Sequence, residues 1–269
     1  MGAVEARDLS LGTALSGVSF SLPIGSCTAV LGNNGSGKST LLGMLARILS
    51  PTHGACSCLG PISYLPEGFP IDEQLRVRQV IDLVSGTPGW ERRWATPLLE
   101  ALDLPPRKRI AQLSQGQRVQ LGVALTLGRR VRTYLLDDPF LGLDPMARVR
   151  VERAIADRAA DATVVVASQE AAISERLCDH LLFLQTGRLF WCAPFESWRS
   201  RYRRIRVRDR VEATHELGEL ALITRRQGAT MEVLLDDPAG SAEGRLRRAG
   251  ARVDPMPLPL DELLLVVSA

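Results

Sequence analysis

The stretch that decides the fold is GNNGSGKST, from Gly32 to Thr40. Gly32 and Gly37, followed at once by Lys38 and Ser39, have the spacing of a phosphate-binding loop. Such glycines let successive backbone N–H groups point at one anion, while the following helix presents its positive end to the same phosphates. The sequence therefore predicts a phosphate cradle formed by Gly32, Asn33, Asn34, Gly35, Ser36, Gly37, Lys38, Ser39 and Thr40.

The segments on either side of this loop provide the context that the motif requires. ALSGVSFSLPIGSCTAVL, residues 14–31, indicates two strands joined by a Pro-Ile-Gly turn. KSTLLGMLARIL, beginning at Lys38, has apolar residues at helical spacing. Strand, loop and helix in this order predict ATP binding, with Lys38 on the β- and γ-phosphates and Ser39 on Mg²⁺.

Further along the chain, strand and helix signals alternate. RTYLLD, ATVVVAS and HLLFLQTGRLFW have strand character, and helical stretches separate them at about residues 145–160 and 170–178. The segment at about 77–130 has helical periodicity broken by SGTPG and LPPRKR, which indicates a helical insertion. This alternation predicts an α/β fold with a mostly parallel sheet wrapped by helices.

The texture of the sequence changes after about residue 200. Short strand and helix patterns follow, among them RIRVR, ALITRRQGATMEVLL and LDELLLVV. We therefore predict two domains, an ATP-binding domain over residues 1–200 and a small C-terminal α+β accessory domain over residues 201–269.

Two adjacent carboxylates, Asp137 and Asp138, follow the apolar run TYLL. A phosphate loop needs a carboxylate at the end of a neighbouring strand to hold Mg²⁺ through water. The sequence predicts that Asp137 has this role and leaves Asp138 free for another.

Composition limits the classes of function. The chain of 269 residues is 45% hydrophobic with a net charge of +3, enough to bury a core and too little to indicate a nucleic-acid binder. The basic block at residues 201–210 alternates with Ile205 and Val207 and is interpreted as a solvated strand face. No apolar run has the length of a spanning helix, and residues 1–10 lack a signal core, so we expect a cytoplasmic location. The five cysteines and three histidines form no metal-ligand pattern, so the cysteines are expected to be reduced, mostly structural thiols.

Several further motifs follow in a fixed order. LSQGQ at residues 113–117 resembles an LSGGQ signature, LGLD at 141–144 a D-loop, and SYLPEG at 63–68 the context of a Q-loop. In this order the chain resembles the ATP-binding subunits of ABC transporters over about residues 4–198, most closely the bacterial exporter type with a small C-terminal domain. The resemblance implies a P-loop NTPase fold of the ABC type, with an antiparallel β subdomain and a helical subdomain at about 77–130.

The resemblance also implies a head-to-tail dimer, homomeric or heteromeric, with two ATP molecules buried between the subunits. The signature helix begins at Ser114 and is a second anion-binding terminus, which would cap the ATP of the opposite subunit. The residues expected to act in trans are Ser114, Gln115, Gly116, Gln117 and Asp144. The implied partner is an integral membrane permease subunit that holds the chain at the inner face of the cell membrane, and no specific nucleic acid is expected.

Three positions depart from the family pattern where the γ-phosphate is expected. Asp138 stands in place of the catalytic glutamate, Gln169 in place of the switch histidine, and Glu67 in place of the Q-loop glutamine. The resemblance assigns these three residues to catalysis, and it assigns Mg²⁺ to Ser39, Asp137 and Glu67. Aspartate is shorter than glutamate by about 1.5 Å, and a displacement of about 1 Å in a catalytic group can cost roughly 10²-fold in rate.

Two interpretations of these departures stay open. In the first, the chain's own site turns ATP over slowly while its signature completes a competent site on a different subunit. In the second, a homodimer shifts its backbone so that Asp138 reaches the attacking water, and Glu67 still serves Mg²⁺.

Two other classes of function also remain. One is a regulatory subunit that binds ATP and scarcely hydrolyses it. The other is a soluble ABC ATPase acting on DNA or ribosomes. Against the latter, residues 67–113 are too few for a long coiled coil, and the sequence has one phosphate loop.

Overall fold

The computed structural model describes residues 2–102 and 104–267, with side chains as far as residue 264. Its strands are β1 (Val4–Leu11), β2 (Leu15–Leu22), β3 (Cys27–Leu31), β4 (His53–Cys58), β5 (Ile62–Leu65), β6 (Thr133–Asp137), β7 (Thr163–Ala167), β8 (His180–Gln185), β9 (Arg188–Pro194), β10 (Tyr202–Arg208), β11 (Ala221–Gln227), β12 (Thr230–Asp236) and β13 (Arg252–Met256). Its α-helices are α1 (Lys38–Leu45), α2 (Val77–Ser85), α3 (Arg92–Leu102), α4 (Gln115–Leu127), α5 (Pro145–Ala159), α6 (Ala171–Leu177), α7 (Phe195–Arg201), α8 (Ala242–Arg248) and α9 (Leu260–Val267). Segments of 3₁₀ helix lie at Ile110–Gln112 and Val211–Leu220, and the second is interrupted at Gly218, whose backbone is not helical (φ 55°, ψ −128°).

The central sheet has the strand order β5-β6-β7-β3-β8-β9. The pairings from β5 to β8 are parallel, and every residue of β3, β6 and β7 is buried. Parallel strands covered on both faces require such continuous apolar runs, which confirms the α/β prediction. Because parallel strands end at one edge, the loop after β3 and the carboxylates at the end of β6 lie at the same edge of the sheet.

An antiparallel sheet of three strands, in the order β2-β1-β4, packs with α1 and the central sheet into one apolar core. Gly54 lies where β4 passes a bulge in β1, with φ of 76° and a virtual Cβ 2.2 Å from the carbonyl oxygen of Asp8. The five cysteines are free thiols. Burial raises the pKa of Cys58, in β4, to about 12, so this group stays a neutral thiol at physiological pH.

The helices α2, α3 and α4 fall within the segment predicted to be a helical insertion. They have a core of their own, separate from that of the sheets, to which Val80, Ile110 and Leu121 contribute fully buried side chains. The antiparallel sheet and the separately packed helices therefore correspond to the two subdomains that the resemblance implied.

The chain separates into two compact units, Met1–Cys192 and Ala193–Ala269. This division lies eight residues before the predicted one at 200/201, because α7 belongs with the C-terminal unit. Arg201, at the end of α7, forms an ion pair with Asp236 of β12 at 2.6 Å, and its carbonyl accepts from the N–H of Asp237.

The C-terminal unit contains a four-stranded sheet in the order β11-β12-β10-β13. Ile205 and Val207 of β10 are fully buried against α8, as the alternation predicted. On the other face, Arg204 and Arg206 both pair with Glu232, at 2.8 and 2.9 Å. The basic face is thus an ion-pair ladder instead of a freely solvated surface.

Within residues 2–102 and 104–267, no helix combines the length and the apolar character needed to cross a bilayer.

Candidate functional site

The loop between β3 and α1 has the shape of an anion cradle. Gly37 has φ of 99°, and a Cβ there would lie 2.6 Å from the carbonyl oxygen of Ala14. At Gly32 a Cβ would lie 2.3 Å from the carbonyl oxygen of Leu184. Because the backbone packs this closely at both ends of the loop, neither position can hold a side chain.

The first turn of α1 presents its N–H groups to this loop without a side-chain cap, since the residue before it is Gly37. The buried hydroxyl of Ser36 has no hydrogen-bond partner among the described residues. Uncapped N–H groups at a helix N-terminus are the ordinary setting for a bound phosphate.

Lys38 lies folded back over the loop. Its Nζ donates to the carbonyl oxygens of Gly32 at 2.8 Å and Asn33 at 3.2 Å, and the side chain is 6% exposed. Burial lowers the pKa of Lys38, while the carboxylates of Asp138, Asp137 and Glu67 oppose this effect. The ammonium group is therefore held at the cradle, close to three negative charges.

Asp137, at the end of β6, is 1% exposed. Both of its carboxylate oxygens lack a hydrogen-bond partner in the described part of the chain. Burial raises the pKa of Asp137 to about 6, and the nearby Ser39 hydroxyl opposes that rise. The hydroxyl does not reach hydrogen-bond geometry, so both oxygens stay unsatisfied. A buried carboxylate without donors is costly, and a bound cation would remove that cost.

Asp138 occupies the left-handed region, with φ of 44°. Its N–H donates to the carbonyl of Ala167 at 2.9 Å, and its own carbonyl accepts from the N–H of Leu141 at 3.1 Å. Burial raises the pKa of the Asp138 carboxyl, against the opposing charge of Lys38. The residue is thus fixed by its backbone on both sides while its side chain faces the cradle lysine.

Glu67 and Gln169 complete the group of predicted catalytic residues. Both are exposed, Glu67 two residues after β5 and Gln169 two residues after β7. The charge of Glu67 raises the pKa of Asp137 and Asp138, and the backbone N–H of Gln169 lowers the pKa of Asp138. The structure therefore brings all three positions to the edge of the sheet where the phosphate loop lies.

The signature forms the N-terminus of α4, as predicted. The Ser114 hydroxyl accepts from the N–H of Gln117 at 3.1 Å, and the Gln117 side chain accepts from the N–H of Ser114 at 3.1 Å. Gly116 lies against the D-loop, where a Cβ would be 2.3 Å from the carbonyl oxygen of Gly142. Asp144 caps α5 through the N–H of Ala147 at 2.8 Å. Signature and D-loop therefore lie together, and no hydrogen bond of the described residues joins either to the phosphate loop.

Two contacts near this site were not anticipated from the sequence. Lys108 reaches the side-chain oxygen of Gln117 at 3.5 Å. Arg148 pairs with Glu170, and its Nε donates to the carbonyl of Leu143 at 3.4 Å. Neither Lys108 nor Arg148 belongs to a motif. The sequence contains only a weak indication of the second contact: Glu170 adjoins Gln169, and Arg148 is four residues after Asp144.

The known proteins that this chain resembles are ABC transporter ATP-binding proteins. The profile of the family described as "ABC transporter" matches residues 15–141. The uncharacterized ABC transporter ATP-binding protein YxlF of Bacillus subtilis is 29% identical over 191 residues, which are 66% of this chain and 65% of YxlF. The ABC transporter ATP-binding protein YtrB of the same organism is 24% identical over 282 residues, 97% of each chain. A dimeric structure of the cassette MJ0796 with ADP and Pi has 20% identity and a TM-score of 0.62 over 71% of this chain and 98% of that one.

The chain belongs to the family of ABC transporter ATP-binding proteins. It is an ATPase of the ABC type with the cassette fold.

Proposed function

We propose that this chain supplies the ATP-driven step to a separate integral membrane permease, at the inner face of the cell membrane, as one subunit of a cassette dimer. The observation that carries the proposal is the presence of two anion-binding helix termini on one chain. One is the uncapped N-terminus of α1 beside Lys38, and the other is the signature at Ser114. Asp137, Asp138 and Glu67 stand beside the first terminus, whereas the second is closed by the reciprocal hydrogen bonds of Ser114 and Gln117. This difference supports a nucleotide of another subunit as the ligand of the second terminus.

The residues at the first terminus fit a Mg²⁺ ion. The two unpaired, buried oxygens of Asp137 would hold the ion through water, and Ser39 would bind it directly, with Glu67 as a further oxygen donor. When bound, the ion neutralises phosphate charge. The backbone N–H groups of residues 32–40 and the Lys38 ammonium orient the β- and γ-phosphates.

The carboxylate of Asp138 would accept a hydrogen bond from the attacking water. Its raised pKa brings it closer to the range of a useful general base. Its backbone is bonded on both sides, to Ala167 and Leu141, which opposes the backbone shift that a shorter side chain would need. Gln169 can hydrogen-bond a phosphate but has no titratable proton. These features support slow turnover at the chain's own site.

A second function is favoured by the same observations. A chain with a slow site of its own and complete trans elements, Ser114, Gly116, Gln117 and Asp144, suits a heterodimer in which its signature completes the active site of a different cassette. The ATP bound at this subunit's own site would then act mainly in regulation, because it is hydrolysed slowly.

The nucleic-acid alternative has little support from the C-terminal unit. The arginines at the end of α7 and on β10 all form ion pairs with carboxylates of the same unit; they are Arg201, Arg203, Arg204, Arg206 and Arg208. Arginines neutralised in this way contribute little to phosphate binding on DNA or RNA.

The proposal is tested by purifying the tagged chain from detergent-solubilised membranes of its host, with a Lys38→Ala chain as control. A polytopic membrane protein should co-purify with both, and after reconstitution it should stimulate ATP hydrolysis by the wild type only. A chain that instead carries nuclease-sensitive DNA or RNA, and whose hydrolysis responds to nucleic acid, would refute the proposal.

A further inference from the structure

A cavity of about 530 Å³ lies at the edge of the central sheet opposite the phosphate loop. Its walls include Pro61, Arg132 and Ala162, which come directly before β5, β6 and β7. Asp137 lies at the other end of β6, about 16 Å away for five residues at about 3.3 Å each. The phosphate loop follows β3, which is parallel to β7, and so lies at the same far edge of the sheet. The cavity is therefore distinct from the nucleotide site.

The wall of this cavity contains a buried cation, Arg158 of α5. Its side chain is 5% exposed, and its guanidinium lies 3.7 Å from the ring centre of Trp94. Its Nε and Nη2 both donate to the carbonyl of Leu127, at 3.0 and 2.6 Å. In the part of the chain that the structure describes, Arg158 forms no ion pair. A buried guanidinium with only neutral contact partners carries a desolvation cost that a nearby anion would offset.

The rim of the cavity has more positive than negative charge. Arg93 and Arg130 share a single carboxylate, Glu91, at 2.7 and 3.6 Å. Arg132 is exposed and pairs with no carboxylate of the described residues, and Asp161 is the acid that lines the wall. The cavity and its rim therefore hold four guanidinium groups and only two carboxylates among the described residues. The guanidinium groups are those of Arg93, Arg130, Arg132 and Arg158, and the carboxylates are those of Glu91 and Asp161.

A purely structural role for Arg158, as a clamp between Leu127 and the Trp94 ring, explains its contacts but leaves Arg132 and the cavity without a function. Small-molecule sites commonly enclose about 300–1,000 Å³ and use a few convergent polar groups. Guanidinium groups bind phosphate oxygens through paired N–H donors, and Arg stacked on an aromatic ring is already oriented for this.

We propose that this cavity binds a small anion that bears a phosphate group. The group belongs either to a soluble phosphorylated compound or to the headgroup of an anionic lipid. Arg158 and Arg132 are the principal contacts, Arg130 is secondary because Glu91 competes for it, and Trp94 keeps the Arg158 guanidinium in place.

The test uses inorganic pyrophosphate and the full chain carrying Lys38→Ala, which removes the cradle ammonium, in buffer with EDTA at fixed ionic strength. Titration calorimetry should show saturable binding that Arg132→Ala weakens at least about tenfold, as expected for a lost charge-assisted contact. Arg225→Ala, an equal change of charge at an exposed arginine of β11, should leave binding unchanged. Absence of saturable binding, or equal weakening by both variants, overturns the proposal.

Sedimentation with vesicles separates the two sources of phosphate. Binding to vesicles of phosphatidylglycerol in phosphatidylcholine, lost in Arg132→Ala, identifies a lipid headgroup, whereas pyrophosphate binding without vesicle binding identifies a soluble compound. If neither probe binds and poly-glutamate binds in an Arg132-dependent way, the cavity recognises an acidic protein segment and the proposal is wrong.

Discussion

Arg148 and Glu170 form an ion pair that joins the start of α5, just after the D-loop, to the residue that follows Gln169. Arg148 also donates to the carbonyl of Leu143, within the D-loop itself. One side chain thereby holds together the D-loop, which is expected to face a partner's nucleotide, and the segment expected to contact the chain's own γ-phosphate. This pair is a physical link through which events at one nucleotide would reach the other.

We predict that Arg148→Ala changes the free energy of unfolding by less than about 1 kcal/mol. The reason is that the side chains of Arg148 and Glu170 are 34% and 39% exposed, so water screens their attraction. Its ATPase rate in the assembled dimer should fall at least about fivefold, since the D-loop loses its connection to Gln169. Arg176→Ala is the matched control: it breaks the ion pair with Glu152, which joins the same two helices elsewhere. Equal loss of activity in both variants would show a general effect of helix packing.

Lys38→Ala should weaken ATP binding by about 10²-fold while the fold remains intact, because the lost contacts are charge-assisted. Lys108 is the other lysine of the chain and lies near Gln117, so Lys108→Ala controls for loss of a lysine in a monomer. Equilibrium binding of a fluorescent ATP analogue and circular dichroism provide the measurements. Unchanged affinity in a folded Lys38→Ala protein would contradict the phosphate-loop assignment.

Asp138→Glu should raise steady-state ATP hydrolysis by about tenfold or more, because the longer side chain regains the reach that aspartate lacks. Asp138→Asn should abolish the residual activity, since an amide cannot accept the proton of water. Asp161→Glu, at an exposed acid on the opposite sheet edge, serves as the control. Brisk wild-type turnover that Asp138→Glu does not increase would favour a homodimer with two competent sites.

Asp137→Asn should stabilise the Mg²⁺- and nucleotide-free chain at pH 7.5. The folded-state pKa of about 6 lies above the ordinary value of 3.8, so stability is lost as pH rises from about 4 to 6. The two pKa values differ by about 2, and each pKa unit corresponds to about 1.4 kcal/mol, so the gain in the free energy of unfolding is at most about 3 kcal/mol. Thermal unfolding should show this gain at pH 7.5 and a smaller one at pH 4.5.

The same substitution should remove the Mg²⁺ dependence of ATP binding. In the wild type, that dependence should weaken as pH falls through about 6, where Asp137 takes up its proton. A variant that is no more stable than the wild type, and that still binds ATP more tightly with Mg²⁺, would argue against a metal role for Asp137.

A fragment ending at Pro194, directly before α7, should fold and bind Mg-ATP with the affinity of the full chain. All residues of the phosphate cradle, together with Asp137 and Asp138, belong to the unit Met1–Cys192. The same fragment with Lys38→Ala is the negative control. A folded fragment without ATP affinity would mean that the C-terminal unit contributes to the nucleotide site.

The sequence alone determined the class of fold and the close-packed glycine loop between β3 and α1, because local chemistry decides both. Glycines at Gly32 and Gly37 have no side chain that the close packing would exclude, and the apolar runs of β3, β6 and β7 suit a parallel sheet covered on both faces. The order of the motifs was likewise visible in the sequence and identified the family.

Tertiary structure decided what depends on contacts between residues distant in the chain. Strands β1 and β4 were not predicted, since β4 is mostly exposed and a bulge between Arg7 and Ser10 interrupts the alternation of β1. The pairing of Arg204 and Arg206 with Glu232, the link between Arg148 and Glu170, and the burial of Arg158 against Trp94 join residues 22 to 64 positions apart. The backbone of Asp138 is likewise held by Ala167, from the neighbouring strand, and no periodicity or motif in a single sequence encodes such a contact.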